Sequence, residues 1–424
     1  MKIIREYLYQ WKSFNKNIRS FLIFDLCNQL SISVYVLYFP RYLLELGHQE
    51  DLYGSLMGTA TIMTAIFAIF AGIISDRIGR RNSLIAGIGV SKITFITRAF
   101  IVFIPVLYGS HVIHGIFIAL YMSTVSPFIY ENATPENRIH AYSIRGIFMR
   151  VSNIFGNLLG GLLPLAILQF APNISTIVVY RIIFTFSLVI ALFGFLQLFA
   201  MKPSETEAQL SKKEKKRFVD EIISLPKEDL AFIFKFVLVR GSIMFGAGMF
   251  LPFMNTFFLK RFGAGPETTG LIFSISNFAV ILGITLAPSI CDKLGMEKAI
   301  VITRILSFPM FIIMGFVPSL WAVAIAYMAR NTFQQMSGPL QDTFIMNGLN
   351  KQTRATANGI LNAAGNGARS IAMFVAGYII VTVGYSYLFV IALAFYIIST
   401  IFFYKFFIYD PKRKKRMGVS GSEL

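Results

Sequence analysis

The sequence predicts an all-α membrane protein with twelve transmembrane helices in two pseudo-symmetric six-helix halves. Three observations carry that expectation. Hydrophobic residues make up 55% of the 424 and charged residues only 14%, where a soluble domain carries roughly 25% charged. Apolar runs close to the length that crosses a bilayer, about 20 residues, recur along the chain. Residues of the second half match residues of the first at a constant shift of 216 positions. Forty-three phenylalanines also exclude a disordered chain, which would be poor in aromatics.

The spans run in order from the charged, aromatic segment Met1 to Ser20, which lacks the apolar core and small-residue cleavage site of a signal peptide. The first half is expected to cross at 20–44, 52–74, 83–107, 112–131, 141–168 and 177–200. Its connections are short and carry Gly, Pro or Asn, as helical hairpins require. A polar stretch from Lys202 to Asp229, containing SKKEKKR, is the natural linker. The second half is expected to cross at 230–258, 267–290, 299–317, 320–345, 357–381 and 386–408. The predicted organisation is therefore 1–200 as one half, 201–229 as a linker loop, and 230–424 as the other half with a basic tail.

The formal charge of +18 looks at first like a nucleic-acid footprint, but such binding needs the charge on one solvated face or groove. Placing each cation removes that reading. Of 39 Lys and Arg, 25 fall in the tails and loops of one side, and only Arg41, Lys260 and Arg261 fall on the other. The positive-inside rule then puts both termini in the cytoplasm, in a plasma-membrane protein. The PKRKKR tail suits anionic lipid headgroups. Cys27 and Cys291 lie in apolar stretches and suggest neither a disulfide framework nor a metal site.

The 216-residue shift pairs Leu43 with Leu259, Gly47 with Gly263, Gly54 with Gly270, Asp76 with Asp292, Gly79 with Gly295, Arg138 with Arg354 and Gly161 with Gly377. Shared composition explains matched Leu and Gly. It explains matched Asp and Arg poorly, because charges are rare here. Between the second and third spans the chain reads GIISDRIGRR. In that loop it resembles the major facilitator superfamily, whose signature has Gly72, Asp76, Arg77, Gly79, Arg80 and Arg81 in these positions, with Ile74 replacing Leu. The second copy is degenerate: Pro288 replaces the first Gly, while Asp292, Lys293 and Gly295 remain. The resemblance implies parallel six-helix repeats, alternating access, and a gating role for Gly72, Asp76, Arg77, Gly79 and Arg80. In the family that Asp caps the end of helix eleven and pairs with basic residues in one conformation. Gly72 and Gly79 are expected to permit close helix approach and a tight reversal. The alternative is a plain anchor of positive charge.

Ionisable residues within spans are costly and usually functional. Eleven cations lie there. Lys235, Arg304 and Arg145 lie within one or two turns of a helix end and are expected to snorkel. Arg181 and Lys405 also read as anchors, and Lys92 and Arg98, on a helix the family places outside the cavity, as structural. Arg150, Arg240, Arg330 and Arg369 are nearer mid-depth. Arg150, Asn153 and Asn157 share one helix face, as do Asn362, Asn366 and Arg369. The 216 shift sets Arg150 against Asn366 and Asn153 against Arg369, the same pair with its order exchanged. A site near mid-membrane at a pseudo-two-fold interface would look like this; so would arginines held by backbone carbonyls or the few acids.

Guanidinium groups bind carboxylate and phosphate. The expected substrate set is therefore Arg150, Asn153, Arg240, Arg330, Gln334, Asn366 and Arg369, for a small organic anion. Asp25 is the first candidate for proton coupling, with Glu131 and Asp342 behind it; a salt bridge to one of the arginines is the competing role. GNLLGG at Gly156 to Gly161 departs from the superfamily's antiporter pattern, since Asn157 replaces Pro, and reads as packing. His111 and His114 share a face but have no third ligand in sequence, and no enzyme motif appears. The expectation is a secondary active transporter, symporter or antiporter, with no cofactor beyond a proton gradient, acting as a monomer with a small solute and the bilayer as partners. A proton-driven multidrug exporter, and a lipid-translocating or non-transporting membrane protein, are the alternatives.

Overall fold

The computed structural model describes residue 11 and residues 13–202, 226–350 and 353–409. Most of the predicted linker and all of the basic tail lie outside the described residues. Among the described residues there are twelve long helices: α1 (Lys16–Glu45), α2 (Glu50–Ile78), α3 (Arg80–Phe100), α4 (Ile104–Asn132), α5 (Arg138–Phe170), α6 (Thr176–Phe199), α7 (Lys227–Phe262), α8 (Pro266–Leu294), α9 (Met296–Phe316), α10 (Leu320–Asn347), α11 (Arg354–Thr382) and α12 (Tyr385–Phe403). Among the described residues there is no strand. A 3-10 turn at Leu251–Phe253 interrupts α7, and a π turn at Tyr404–Ile408 extends α12.

Ten of these helices are long and apolar enough to cross a membrane, and α2 adds an eleventh when its two segments are taken as one span. The twelfth, α10, falls below that hydropathy because it carries Arg330, Asn331, Gln334, Gln335, Gln341 and Asp342. The predicted third span overran. Helix α3 ends at Phe100, and Pro105 sits in the first turn of α4, where its fixed φ favours starting a helix. The apolar run across 101–107 is thus a connection and a new helix start.

The repeat holds at the level of helix ends. A shift of 216 carries Glu50–Ile78 onto Pro266–Leu294 and Arg80–Phe100 onto Met296–Phe316 at both ends. It also carries the starts of α4 and α5 onto those of α10 and α11. Gly47 (φ 84°) and Gly263 (φ 62°), and Gly79 (φ 88°) and Gly295 (φ 77°), are corresponding pairs. All four occupy the positive-φ region that residues with a Cβ avoid, so the chain reversals themselves are repeated.

The described residues form two compact units. The first comprises the chain through α6 together with residues 253–278, the end of α7 and the start of α8. Within it α1 packs against α5 and α6, α2 against α4, and α4 against α3. Its core gathers Phe21, Phe24, Leu84, Ile88, Tyr121 and Phe128. In a bilayer the surroundings are as apolar as the core, so close packing rather than exclusion from water drives such contacts. Gly156 supplies it: a Cβ there would come within 2.6 Å of the Ser33 side chain. Gly160 would meet Leu37 at 3.1 Å. The GNLLGG stretch is therefore a packing seam against α1.

In the second unit α7 packs against α11 and α12, and α9 against α10 and α12. Its core centres on Phe236, Phe344, Phe403 and Phe407, with ring centroids 4.4 to 6.3 Å apart. Both units expose many large apolar side chains, among them Phe193, Leu196, Phe234 and Ile325. Lipid tails are the medium that tolerates such a surface.

Candidate functional site

The loop between α2 and α3 is held by a charge relay. Asp76 pairs with Arg80 at 2.5 Å, one helical turn on. Arg80 also reaches Glu131 on α4 at 3.1 Å and donates to the Ser75 hydroxyl at 2.9 Å. Thr124 on α4 donates to the same hydroxyl at 2.8 Å. Three helices are thereby tied at one point. Gly79 is the backbone reversal that lets Arg80 turn inward, whereas Arg77 is exposed. The expectation of close approach at Gly72 does not hold here, because a Cβ at that position would meet nothing within 4 Å.

Each intramembrane acid singled out by the sequence faces an arginine. Asp25 on α1 is buried; Tyr121 donates its hydroxyl to one carboxylate oxygen at 2.6 Å, and Arg145 Nε meets the other at 3.1 Å. Glu131 takes Arg80, as above. Asp342 on α10 lies 3.6 Å from Arg240 and its side chain is 69% exposed. Arg145 was expected to snorkel. It turns inward instead, because its helix face points at α1. Arg304 departs from that expectation too: it is fully buried, donating to Gln341 at 2.7 Å beside the Phe403 ring.

The expected solute-binding residues divide between the units. In the first, Asn153 accepts a hydrogen bond from Ser33 at 2.5 Å, which fixes the polar face of α5. Arg150, one turn below, is half-buried and makes no hydrogen bond or ion pair with any described residue. In the second, Arg240 donates to Asn362 at 2.8 Å, and Asn362 donates to Asn358 at 3.2 Å. The structure therefore gathers Arg240, Asp342 and Asn362 into one polar group. Arg369 and Asn366 follow on the same helix, half-buried, and the Arg369 backbone packs at Gly248 of α7. Gln334 has a buried side-chain oxygen without a hydrogen-bond partner. Arg330 is 1% exposed; its guanidinium sits 4.6 to 5.4 Å from the Phe250, Tyr396 and Phe311 rings. It also donates to Asn331 at 3.0 Å and to the Tyr396 hydroxyl. Such an aromatic cage stabilises a cation by its ring quadrupoles.

The sequence missed a clasp. Arg41 near the end of α1 is 2% exposed and donates to Asn255 at 2.7 Å, to Thr269 at 2.7 Å and to the Ala264 carbonyl at 3.0 Å. Asn255 in turn donates to the Leu37 carbonyl. Lys260 pairs with Glu50 at 2.8 Å. All of these belong to the first unit. The signal was present: Arg41 and Lys260 are two of the three cations that the charge count set apart. His111 is buried with one ring nitrogen 2.8 Å from the Leu107 carbonyl. Among the described residues no three His, Cys, Asp or Glu side chains come together as metal ligands would.

A family profile described as Major Facilitator Superfamily matches residues 21–254 and 236–421. Multidrug resistance protein 2 of Bacillus subtilis is 25% identical over 312 residues, covering 71% of this chain and 74% of that protein. Among solved structures, a mutant of the nucleoside transporter NupG superposes with a TM-score of 0.72 at 13% identity, covering 93% of this chain and 99% of that one. A D-xylose-proton symporter superposes with a TM-score of 0.70 at 17% identity, covering 92% and 97%.

Proposed function

The chain belongs to the Major Facilitator Superfamily, and from that premise we propose that it is a secondary active transporter moving a small organic anion by alternating access. The observation that carries the charge of the solute is an imbalance. Arg150 is an intramembrane guanidinium with no partner among the described residues, while Asp25, Glu131 and Asp342 are each already engaged by an arginine. A free guanidinium offers paired N–H donors to a carboxylate or phosphate. Within the first unit Arg150 is the principal ligand, with Asn153 beside it; within the second, Arg369, Asn366, Gln334 and Arg240 are the polar groups suited to an anion, and Arg330 is held in its aromatic cage.

Asp25 is the coupling group. A proton on its carboxyl weakens the hold on Arg145, so protonation biases the equilibrium between conformations by the difference in that contact. Asp342 with Arg240 is a second acid–arginine pair, at positions the repeat does not match to Asp25 and Arg145, and Glu131 links coupling to the Asp76–Arg80 relay that gates. The skewed distribution of loop cations supports cytoplasmic termini in a plasma membrane, and the protein works as a monomer.

A second reading is favoured by the relatives. One is named a multidrug resistance protein and another, from Escherichia coli, a tetracycline resistance protein. An exporter of lipophilic cations would need an intramembrane acid that is free to meet them. The separating experiment is transport in reconstituted vesicles with a panel of organic anions and cationic dyes. Anion flux that exceeds dye flux supports the proposal, and dye flux alone under a pH gradient overturns it in favour of export.

A further inference from the structure

An open groove of about 510 Å³ runs along α6 of the first unit and shares no residue with the proposed solute set. Val178, Ile182, Phe186 and Val189 line it, at i, i+4, i+8 and i+11 on one stripe of the helix. Phe100, the last residue of α3, adds a further apolar wall. These five side chains are between 41% and 59% exposed. Thr185 also lines the groove, but its hydroxyl donates to the Arg181 carbonyl at 2.9 Å, so that polar group is satisfied by the helix itself. From Val178 to Val189 the stripe is roughly 16 Å long. That is close to half of a hydrocarbon core about 30 Å thick, the depth of one leaflet.

One cation lines the same groove, Arg181, roughly 7 Å from the start of α6, a depth from which a guanidinium reaches the interface. Its Nε donates to the Tyr42 hydroxyl at 3.2 Å. Tyr42 is 1% exposed, its ring packs edge-on against Phe184 at 5.3 Å, and its hydroxyl donates to the Ala99 carbonyl at 2.9 Å. The tyrosine is therefore fixed as an acceptor, and it holds the base of the guanidinium beside the groove. The terminal N–H groups of Arg181 have no partner among the described residues. No described Asp or Glu pairs with Arg181, and none lines the groove.

We propose that this groove between α3 and α6 binds one anionic phospholipid of the phosphatidylglycerol class, with its phosphate on Arg181 and an acyl chain along the α6 stripe. Apolar walls one leaflet long, ending at a cation with free N–H donors, complement a chain that ends in a phosphate. The absence of a carboxylate from the lining selects the headgroup, because an ammonium-bearing lipid would find no counter-charge there. The lipid is bound from the leaflet on the side where α1 ends and α6 begins, separately from the transported solute.

The test places a fluorescent reporter in the groove. Phe186→Trp is made in a chain whose own two tryptophans are replaced, Trp11→Phe and Trp321→Phe, and is reconstituted in vesicles of phosphatidylcholine. Phosphatidylglycerol with brominated chains is expected to quench it with an apparent affinity about fivefold above that of brominated phosphatidylcholine, the contribution of one interfacial cation. Adding Arg181→Gln is expected to remove that preference, and adding Lys405→Gln to retain it. Equal quenching by the two lipids marks ordinary boundary lipid and overturns the proposal, as does a preference that survives Arg181→Gln. Should the tryptophan variant not fold, thermal unfolding of the otherwise unaltered chain in detergent decides. A saturable rise in midpoint with phosphatidylglycerol that Arg181→Gln loses supports the site by mass action; no rise, or an equal rise with phosphatidylcholine or inorganic phosphate, removes it.

Discussion

Replacing Arg41 with Ala breaks the clasp that holds residues 253–278 to α1. Arg41 makes three short hydrogen bonds, to Asn255, Thr269 and the Ala264 carbonyl. Bonds to a charged group contribute about 1.5–3 kcal/mol each. The Asn255 and Thr269 side chains that would be left behind are almost fully buried, so little water can replace the guanidinium. Partial relaxation recovers some of the loss, and about 3 kcal/mol is a conservative net. At 1.4 kcal/mol per factor of ten, the clasped state loses about a hundredfold against a released one. On the proposed alternating-access cycle such a contact breaks once per turnover, so the loss should appear as a shift of populations. Spin labels at Gln49→Cys and Thr268→Cys, read by pulsed electron resonance, report it. The distance distribution should broaden towards longer separations in Arg41→Ala and stay near wild type in Glu45→Gln. An unchanged distribution in Arg41→Ala would refute the clasp as an energetic element.

Three further outcomes follow from the geometry. Asp25→Asn leaves Arg145 without its carboxylate and should lower the unfolding midpoint by the equivalent of about 3 kcal/mol, the cost of breaking a buried pair; in vesicles it should abolish transport driven by a pH gradient while sparing solute exchange. Gly79→Ala forces a Cβ into a positive-φ reversal and should cost about 1–2 kcal/mol, whereas Gly72→Ala enters open space and should leave the unfolding midpoint unchanged; equal loss in both would contradict the assignment. Gly115→Ala should loosen α2 from α4, because its Cβ would be 2.6 Å from the Met63 side chain; normal stability there would show that the two helices are less tightly packed than described.

Apolar runs placed a span on each of the twelve long described helices, although α10 is too polar to pass on hydropathy alone, and the 216-residue shift anticipated even the glycine reversals at 79 and 295, because both depend on local properties of the chain. Which neighbour each side chain faces was not legible. Arg145 and Arg304 lie near helix ends, and sequence position alone made them anchors, yet each turns towards the bundle and meets Asp25 or Gln341. Tyr121, which completes the Asp25 site, is one aromatic residue within an apolar run and has no distinguishing period. Arg330 looked like its neighbours in the cation count, but three rings from α7, α9 and α12 surround it, an arrangement that only tertiary packing creates. Arg41 shows the converse: its rarity was visible, its partners more than 200 residues away were not.

The central claim is that the Arg150 guanidinium on α5, without a partner among the described residues, binds an anionic solute. The direct measurement is exchange of a labelled organic anion in vesicles containing wild-type protein, Arg150→Lys or Arg150→Ala, each first shown to be folded by its unfolding midpoint. Loss of one charge-assisted contact of about 3 kcal/mol predicts a fall of about a hundredfold in apparent affinity for Arg150→Ala, with partial recovery in Arg150→Lys. Exchange in Arg150→Ala with the wild-type affinity would contradict the claim.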